Sequence, residues 1–254
     1  MIPDDDRGLL LGDGLFETIL AVDGRLVSVE AHLARMIAGC AVIGIEPPSA
    51  SAATAMALDA LTASGLTEGR AAVRLTLTAG GGRGLERPAG SVPRLYASAS
   101  PAPAPEGALR LATVALRRNE TSPTSRLKSL AYLDNILARA EARVAGADEA
   151  LLLNTQGQIA CAAAANLFWI TEDRLHTPAL DCGVLEGIVR GEVLAAARAL
   201  GVATVEVHAG RAALDEAQAM FLTSSLVGVR MVSGLDGRAL GAHPLIAAIS
   251  SRCR

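Results

Sequence analysis

The extended segments of this chain come in pairs joined by short turns, and this arrangement limits the folds open to it. Residues 15–29 are predicted to be two strands around Asp23-Gly24, the strongest short signal for a hairpin. Residues 149–160 form a similar pair around the turn at 155–157, and residues 166–177 form another. Hairpins of this kind, rather than strand–helix–strand units, predict an α+β fold instead of a doubly wound parallel sheet.

A proline-rich segment divides the chain into two predicted lobes. The sequence Pro-Ala-Pro-Ala-Pro at 101–105 is typical of a stiff, extended connector. We therefore predict a small α+β lobe at 1–102, a connector at 103–107 and a larger α+β lobe at 108–254. Apolar residues at helical spacing predict longer helices at 31–43, 52–64, 130–144 and 187–201, and a short acidic helix is predicted around 211–217.

Composition excludes several classes of function. The net charge is −3, and no basic run is long enough to hold a phosphate backbone, so we expect no nucleic-acid partner. No apolar stretch approaches the roughly 20 residues needed to cross a bilayer. The acidic start MIPDDD is unlike a secretory signal. We expect a cytoplasmic protein with no membrane partner.

The cysteines and histidines show no metal-binding spacing. Cys40, Cys161, Cys182 and Cys253 are scattered without a CxxC pair, and the four histidines are far apart in the sequence. The sequence therefore predicts reduced, buried thiols and no metal site.

Only one of the 23 cationic side chains is a lysine, Lys128. Surface lysines can usually be exchanged for arginine, so a lone lysine draws attention to chemistry that arginine cannot perform. A desolvated amine can lose its proton and then act as a base or condense with a carbonyl group, whereas a guanidinium stays charged. The alternative is that Lys128 is an ordinary lysine, retained by chance on a solvent-exposed helix.

Eight short motifs resemble, in order and spacing, those of the class IV, fold type IV pyridoxal phosphate enzymes. The resemblance covers nearly the whole chain from residue 6 onward, and the motifs are highly specific only when taken together. They are GDGLFET at 12–18, HLAR at 32–35, GGRG at 81–84, KSLAYLDN at 128–135, DEA at 148–150, ANLFW at 165–169, LEGIVR at 185–190 and TSSLVGV at 223–229.

This resemblance implies a small α+β lobe, a larger pseudo-barrel lobe, pyridoxal 5'-phosphate between them, and a homodimer acting on a small amino substrate. The motifs look closest to those of 4-amino-4-deoxychorismate lyases, which make 4-aminobenzoate and pyruvate for folate synthesis. Branched-chain and D-amino acid aminotransferases share the scaffold and remain an alternative. A divergent cofactor-binding relative with little activity is a second one.

The same resemblance assigns roles to several side chains. Lys128 is similar to the lysine that carries the cofactor and then moves the substrate proton. Arg35 resembles the arginine that grips the cofactor phosphate. Arg83 is a candidate for a substrate carboxylate, with a loop-fixing role as the alternative. Tyr132 is expected to line the substrate site or to pack in the core, and Leu226 is expected on the substrate side.

A second group of residues is expected to bind the cofactor phosphate. A helix is predicted to start near Gly187, so the backbone amides of Ile188 and Val189 are potential phosphate donors. Val189 lacks the hydroxyl that many relatives place there. Ser225 resembles the hydroxyl residue of a second phosphate loop and could compensate.

Position 161 departs from the family pattern. In the enzymes that the chain resembles, a glutamate five residues before the asparagine of the Asn-Leu-Phe motif pairs with the pyridine nitrogen. Counting back from Asn166 gives Cys161. A thiol is a weak donor and does not hold a positive charge on the ring nitrogen. We therefore expect transamination to suffer more than a lyase reaction that is driven by aromatisation.

Overall fold

The computed structural model describes residues 2–172 and 174–253. These residues form two compact units. The first unit contains the described residues up to Ala104 together with Leu127–Tyr132, and the second contains Pro105–Arg126 and the described residues from Leu133 onward. The sequence placed residues 127–132 in the second lobe, and the structure groups them with the first.

The first unit is an antiparallel sheet with helices on one face. The strand order is β2-β1-β3-β4. Alternate residues of β1 and β3, such as Ile19 and Leu75, pack against Met36 and Leu61 of the helices. The elements are α1 (Arg7–Leu11), β1 (Gly14–Val22), β2 (Arg25–Leu26), α2 (Val29–Ile43), α3 (Ala50–Ala63), β3 (Arg70–Thr78) and β4 (Arg94–Pro101).

The predicted hairpin at the start of the chain is confirmed. Its turn residues Asp23 and Gly24 have φ angles of 48° and 73°. Positive φ at both central positions gives a turn whose twist matches the strands it joins, and Asp-Gly adopts it readily. The carboxylate of Asp23 also accepts a hydrogen bond from the Gly69 amide at 2.8 Å, which ties the turn to the start of β3.

The second unit is built on a nine-stranded mixed sheet in the order β10-β9-β8-β11-β12-β5-β6-β7, with β13 beside β12. Its strands are β5 (Leu109–Arg118), β6 (Glu149–Asn154), β7 (Ile159–Ala162), β8 (Asn166–Thr171), β9 (Arg174–Pro178), β10 (Thr204–Val207), β11 (Ala219–Ser224), β12 (Gly228–Leu235) and β13 (Arg238–Ala239). Its helices are α4 (Leu133–Val144), α5 (Ile188–Ala199) and α6 (Pro244–Ser250).

The two edges of this sheet meet. The amide of Ile159 in β7 donates to the carbonyl of Ala209, two residues beyond β10, at 2.8 Å. Gln158 and Gly210 form a bridge beside it. The sheet therefore curls into a partial barrel, and the predicted α+β fold with a pseudo-barrel is confirmed.

Several predicted elements differ from those observed. The helix predicted at 130–144 begins at Leu133, and the acidic helix expected around 211–217 is a single 3₁₀ turn, Arg211–Leu214. Helices α1 and α6 were not predicted. Among the described residues, no helix is long and apolar enough to span a bilayer.

Candidate active site

Lys128 lies in a short extended segment that pairs with the first residues of β1. The amide of Phe16 donates to the carbonyl of Lys128 at 2.8 Å, and the amide of Leu130 donates to the carbonyl of Gly14 at 3.0 Å. Strand β2 pairs only with the far end of β1, so the near end is open to this segment. These bonds fix the backbone of Lys128 opposite Phe16.

The amine of Lys128 is half-buried against two aromatic rings. Its Nζ lies 4.2 Å from the centroid of Phe16 and 3.3 Å from the hydroxyl of Tyr132. Burial, with smaller contributions from the charges of Arg35 and Arg74, lowers the pKa of Lys128 from 10.5 to about 8, although Glu17 opposes the shift. A useful fraction of this amine is therefore unprotonated near neutral pH, as a nucleophile or base requires.

Arg35 is held by a buried carboxylate on β1. Its Nε and Nη2 donate to the two oxygens of Glu17 at 2.8 and 2.6 Å, and Nδ1 of His32 lies 2.7 Å from Glu17 Oε2. Burial raises the pKa of Glu17, but the hydrogen bonds from Arg35 and His32 outweigh burial and leave the pKa below its ordinary value. Glu17 therefore stays ionised and fixes the arginine that the sequence assigned to phosphate.

A second arginine, which the sequence did not single out, lies at the same aromatic ring. The Cζ of Arg74 in β3 is 3.7 Å from the centroid of Phe16. Burial lowers the pKa of Arg74, and no carboxylate among the described residues pairs with it. Arg74 lies on β3 opposite Thr18 of β1. Nothing in the sequence around Arg74 indicated that it lies near Lys128.

The predicted substrate residue Arg83 lies in an exposed loop. Its side chain is 73% exposed and its ion pair with Asp4 is 4.0 Å long. The loop itself is anchored elsewhere, because Asp13 accepts hydrogen bonds from both Arg7 and Arg87. The contacts of the described residues do not bring Arg83 to Lys128, so its role stays a prediction.

In the second unit, helix α5 begins with backbone donors that no side chain caps. Gly187 is the N-cap residue, and Ile188 and Val189 open the helix with free amides. A Cβ atom on Gly187 would lie 2.0 Å from Oδ1 of Asn166, so only glycine fits there. Amides at a helix start, together with the positive end of the helix dipole, suit an anion such as phosphate.

Ser225 and Leu226 lie in the tight turn between β11 and β12. The preceding Thr223 is buried, and its hydroxyl has no hydrogen-bond partner among the described residues. A buried hydroxyl without a partner is unfavourable in the protein alone. The Thr223 hydroxyl, next to this turn, is therefore available to donate a hydrogen bond to a ligand.

Cys161 lies on β7, opposite Leu152 of β6, and is almost fully buried. Burial raises the pKa of its thiol; the charge of Arg118 lowers it and that of Glu149 raises it, both by less. The thiol is therefore protonated and neutral at physiological pH. Position 161 supplies no negative charge.

The class IV amino-transferase family matches this chain over residues 14–235. The chain belongs to that family. Class IV enzymes are dependent on pyridoxal phosphate.

Relatives of different activities are similar to this class IV chain. A putative branched-chain-amino-acid aminotransferase of Methanocaldococcus jannaschii is 32% identical over 92% of this chain and 83% of its own length. The crystal structure of 4-amino-4-deoxychorismate lyase from Pseudomonas aeruginosa is 32% identical, with a TM-score of 0.89, over 99% of this chain and 93% of that one. The PLP-bound form of a hypothetical aminotransferase from Mycobacterium tuberculosis is 26% identical, with a TM-score of 0.85, over 99% and 91% of the two chains.

The residues of this class IV chain fit its cofactor. The first unit offers a half-buried amine of lowered pKa at Lys128 and a fixed guanidinium at Arg35. The second unit offers uncapped amides at the start of α5 and a hydroxyl without a partner beside the Ser225 turn. An aldehyde needs the first kind of group, and a phosphate dianion needs the others.

Proposed function

We propose that this protein is a pyridoxal phosphate-dependent lyase that converts 4-amino-4-deoxychorismate to 4-aminobenzoate and pyruvate in folate synthesis. The observation that carries the proposal is the lone lysine, whose amine is held between Phe16 and Tyr132 with a pKa of about 8. Lys128 would hold the cofactor through its amine and would act as the base that removes the proton from the substrate carbon bearing the amine.

Four groups are proposed to bind the phosphate of the cofactor. We assign its phosphate to Arg35, the amides of Ile188 and Val189 at Gly187, and the hydroxyl of Ser225. When bound, pyridoxal phosphate withdraws electrons from the carbon that loses the proton. The hydroxyl of Tyr132 accepts a hydrogen bond from the Lys128 amine at 3.3 Å. This hydrogen bond would orient the amine toward the substrate.

The neutral thiol at Cys161 supports a lyase over an aminotransferase. A carboxylate beside the pyridine nitrogen keeps that nitrogen protonated and so stabilises negative charge on the substrate carbon. The raised pKa of Cys161 leaves no such charge at this position. Loss of pyruvate from aminodeoxychorismate creates an aromatic ring, and this driving force reduces the need for a stabilised carbanion.

Arg74 is the best candidate among the described residues for binding a substrate carboxylate. It lies against the same Phe16 ring as the Lys128 amine, is accessible, and has no acidic partner among the described residues. Guanidinium groups bind carboxylates through paired hydrogen bonds. Aminodeoxychorismate and amino acids both carry carboxylates, so this role holds for either reaction. We keep Leu226 as a candidate on the substrate side.

An aminotransferase is the second candidate function. The similarity to the putative branched-chain-amino-acid aminotransferase, 32% identical over 92% of this chain, is as high as that to the lyase. A branched-chain or D-amino acid would then give its amino group to the cofactor, and a keto acid would receive it.

We also propose that the protein is a homodimer. Helix α4 of the second unit exposes an apolar stripe of Leu133, Ile136 and Leu137, which are 65%, 62% and 50% exposed. Residues at this spacing lie on one face of a helix. Exposed apolar patches of this kind mark surfaces that bind another protein, and we propose that the partner is a second copy of the chain, as the family resemblance implies.

Coupled assays test these functions on one preparation. Borohydride treatment of the holoenzyme followed by peptide mass spectrometry should place the cofactor on Lys128. Release of pyruvate and 4-aminobenzoate from aminodeoxychorismate supports the lyase. Stoichiometric transfer of an amino group to 2-oxoglutarate, without pyruvate release, would establish the aminotransferase instead. Labelled Lys128 with neither activity would identify a divergent cofactor-binding relative.

A further inference from the structure

Three side chains of the second unit that could ligate a metal ion converge at one place on its surface. They are Asp181, Cys182 and His208, and one ligand atom from each lies within 4.8 Å of the other two. Nε2 of His208 is 2.6 Å from Oδ1 of Asp181. The Cys182 sulfur lies beneath them and is fully buried, whereas the other two side chains are exposed.

The local backbone fixes this arrangement. Asp181 and Cys182 lie in the 3₁₀ turn Leu180–Cys182 that follows β9, and Gly183 ends the turn with a φ of 85°. His208 directly follows β10, which pairs in parallel with β9. The amide of Ala179 donates to the carbonyl of Val207 at 3.0 Å. The turn and the end of β10 are therefore joined by a backbone hydrogen bond beside the three ligand atoms.

We propose that Asp181, Cys182 and His208 form a binding site for a zinc ion, with water as the fourth ligand. Thiolate, imidazole and carboxylate are the side chains that Zn²⁺ binds, and three protein ligands with one open position is a common arrangement. Bond lengths of about 2.0–2.3 Å place tetrahedral ligand atoms about 3.5 Å apart. The observed separations, from 2.6 Å between His208 and Asp181 to at most 4.8 Å, lie on either side of that spacing.

The proton balance of the site is simple. The carboxylate of Asp181 and an unprotonated Nε2 of His208 each give a lone pair to the ion, and the ion replaces the hydrogen bond between them. The Cys182 thiol releases its proton to the solvent and binds as thiolate. At present the thiol makes only long contacts, to Oε1 of Gln158 at 3.6 Å and the carbonyl of Val207 at 3.9 Å. These are weak partners, which a metal ion would replace.

The three proposed zinc ligands are different residues from those assigned to the cofactor. It would join the turn after β9 to the end of β10, and the chain runs from this turn through Val184 and Leu185 to the uncapped start of α5. A bound ion would therefore brace the segment that leads to Gly187. We assign the ion no part in the cofactor's reaction.

Metal titration of the untagged, chelator-treated holoenzyme tests this proposal. Co²⁺ serves as the probe, because tetrahedral cobalt with a thiolate ligand absorbs in the red, outside the range of pyridoxal phosphate. We expect one equivalent of Co²⁺ to produce these bands and Zn²⁺ to remove them. Cys182→Ala should abolish the bands, and Asp181→Asn and His208→Gln should each weaken binding about 10-fold or more.

Matched variants make the outcome decisive. His176→Gln and Cys253→Ala change a histidine and a cysteine of the same unit outside the cluster, and both should bind Co²⁺ as the wild type does. Asp181 and His208 are exposed, so their variants should fold even if Cys182→Ala does not. Binding that is absent in the wild type, or unchanged in both Asp181→Asn and His208→Gln, would overturn the proposal. Zn²⁺ should also raise the unfolding temperature of the wild type, and at the same concentration it should raise that of His208→Gln by less.

Discussion

The amine of Lys128 lies 4.2 Å from the centroid of the Phe16 ring. The guanidinium carbon of Arg74 lies 3.7 Å from the same centroid. An aromatic face attracts cations, so Phe16 stabilises two positive groups that otherwise repel each other. The repulsion favours loss of the one proton that can leave, which is the proton of the amine. Burial, together with the charges of Arg35 and Arg74, therefore creates a reactive amine beside a permanent positive charge, and Phe16 is the ring that both groups contact.

The titration of Lys128 can be followed without interference, because the chain contains no other lysine. In cofactor-free protein labelled with ¹³C-lysine, we expect a single side-chain signal that titrates with a pKa of about 8. Arg74→Gln should raise this pKa, since it removes a nearby positive charge. Arg25→Gln, which removes a charge at the far end of β1 in the same unit, should leave it unchanged. A wild-type pKa near 10.5 would contradict the assigned surroundings of the amine.

The desolvated amine also affects stability. Its pKa is about 8 in the folded protein and 10.5 in the unfolded chain, so unfolding takes up a proton between these pH values and stability rises with pH there. Below pH 8 the charged amine destabilises the fold. We expect Lys128→Met to stabilise the cofactor-free protein at pH 7 by about 1–2 kcal/mol, a value discounted for solvent screening. Chemical denaturation should show this difference shrinking to zero above pH 10.5.

Local signals predicted much of the fold and singled out Lys128 as a candidate. The Asp23-Gly24 turn and the strands at 149–154 and 166–171 carry their own sequence signatures, and the observed strands have those bounds. Lys128 was singled out because it is the lone lysine. Each of these features depends on residues close together in the chain.

Features that depend on distant pairing were missed. The helix predicted to begin at residue 130 begins at Leu133. Residues 128–130 pair with β1, which lies more than 100 residues earlier in the chain, and so cannot join the helix. Arg74 gave no signal because its partner, Phe16, lies on a neighbouring strand. Cys182 and His208 have no metal-binding spacing, and only the parallel pairing of β9 with β10 brings them together.

The assignment of Arg74 to a substrate carboxylate has a kinetic consequence. Arg74→Gln should raise KM about 10- to 100-fold, which corresponds to the loss of about 1.5–3 kcal/mol for a hydrogen bond to a charged group. The affinity for pyridoxal phosphate, measured by dialysis and absorbance, should not change. Arg83→Gln is the matched comparison, because the sequence favoured that arginine. A large rise in KM for Arg83→Gln alone would reverse the assignment.

The apolar stripe on α4 predicts the effect of charge on assembly. Ile136→Glu places a carboxylate at the centre of the stripe, between Leu133 and Leu137, and a buried charge without a partner is costly. We expect sedimentation velocity to show a dimer for the wild type and a monomer for this variant. Leu85→Glu changes an apolar residue of a loop, 91% exposed, and should remain dimeric. A monomeric wild type would remove the basis for the homodimer.

The thiol at position 161 predicts which reaction a single substitution should favour. Cys161→Glu introduces a carboxylate that can hold a proton on the pyridine nitrogen, and this stabilises negative charge on the substrate carbon. Transamination depends on that stabilisation more than a reaction driven by aromatisation, so its rate relative to pyruvate release should rise about 10-fold, or ~1.4 kcal/mol. Cys161→Ser, which is polar but neutral, should leave the ratio near that of the wild type. Equal ratios for the two variants would show that position 161 does not act on the ring nitrogen.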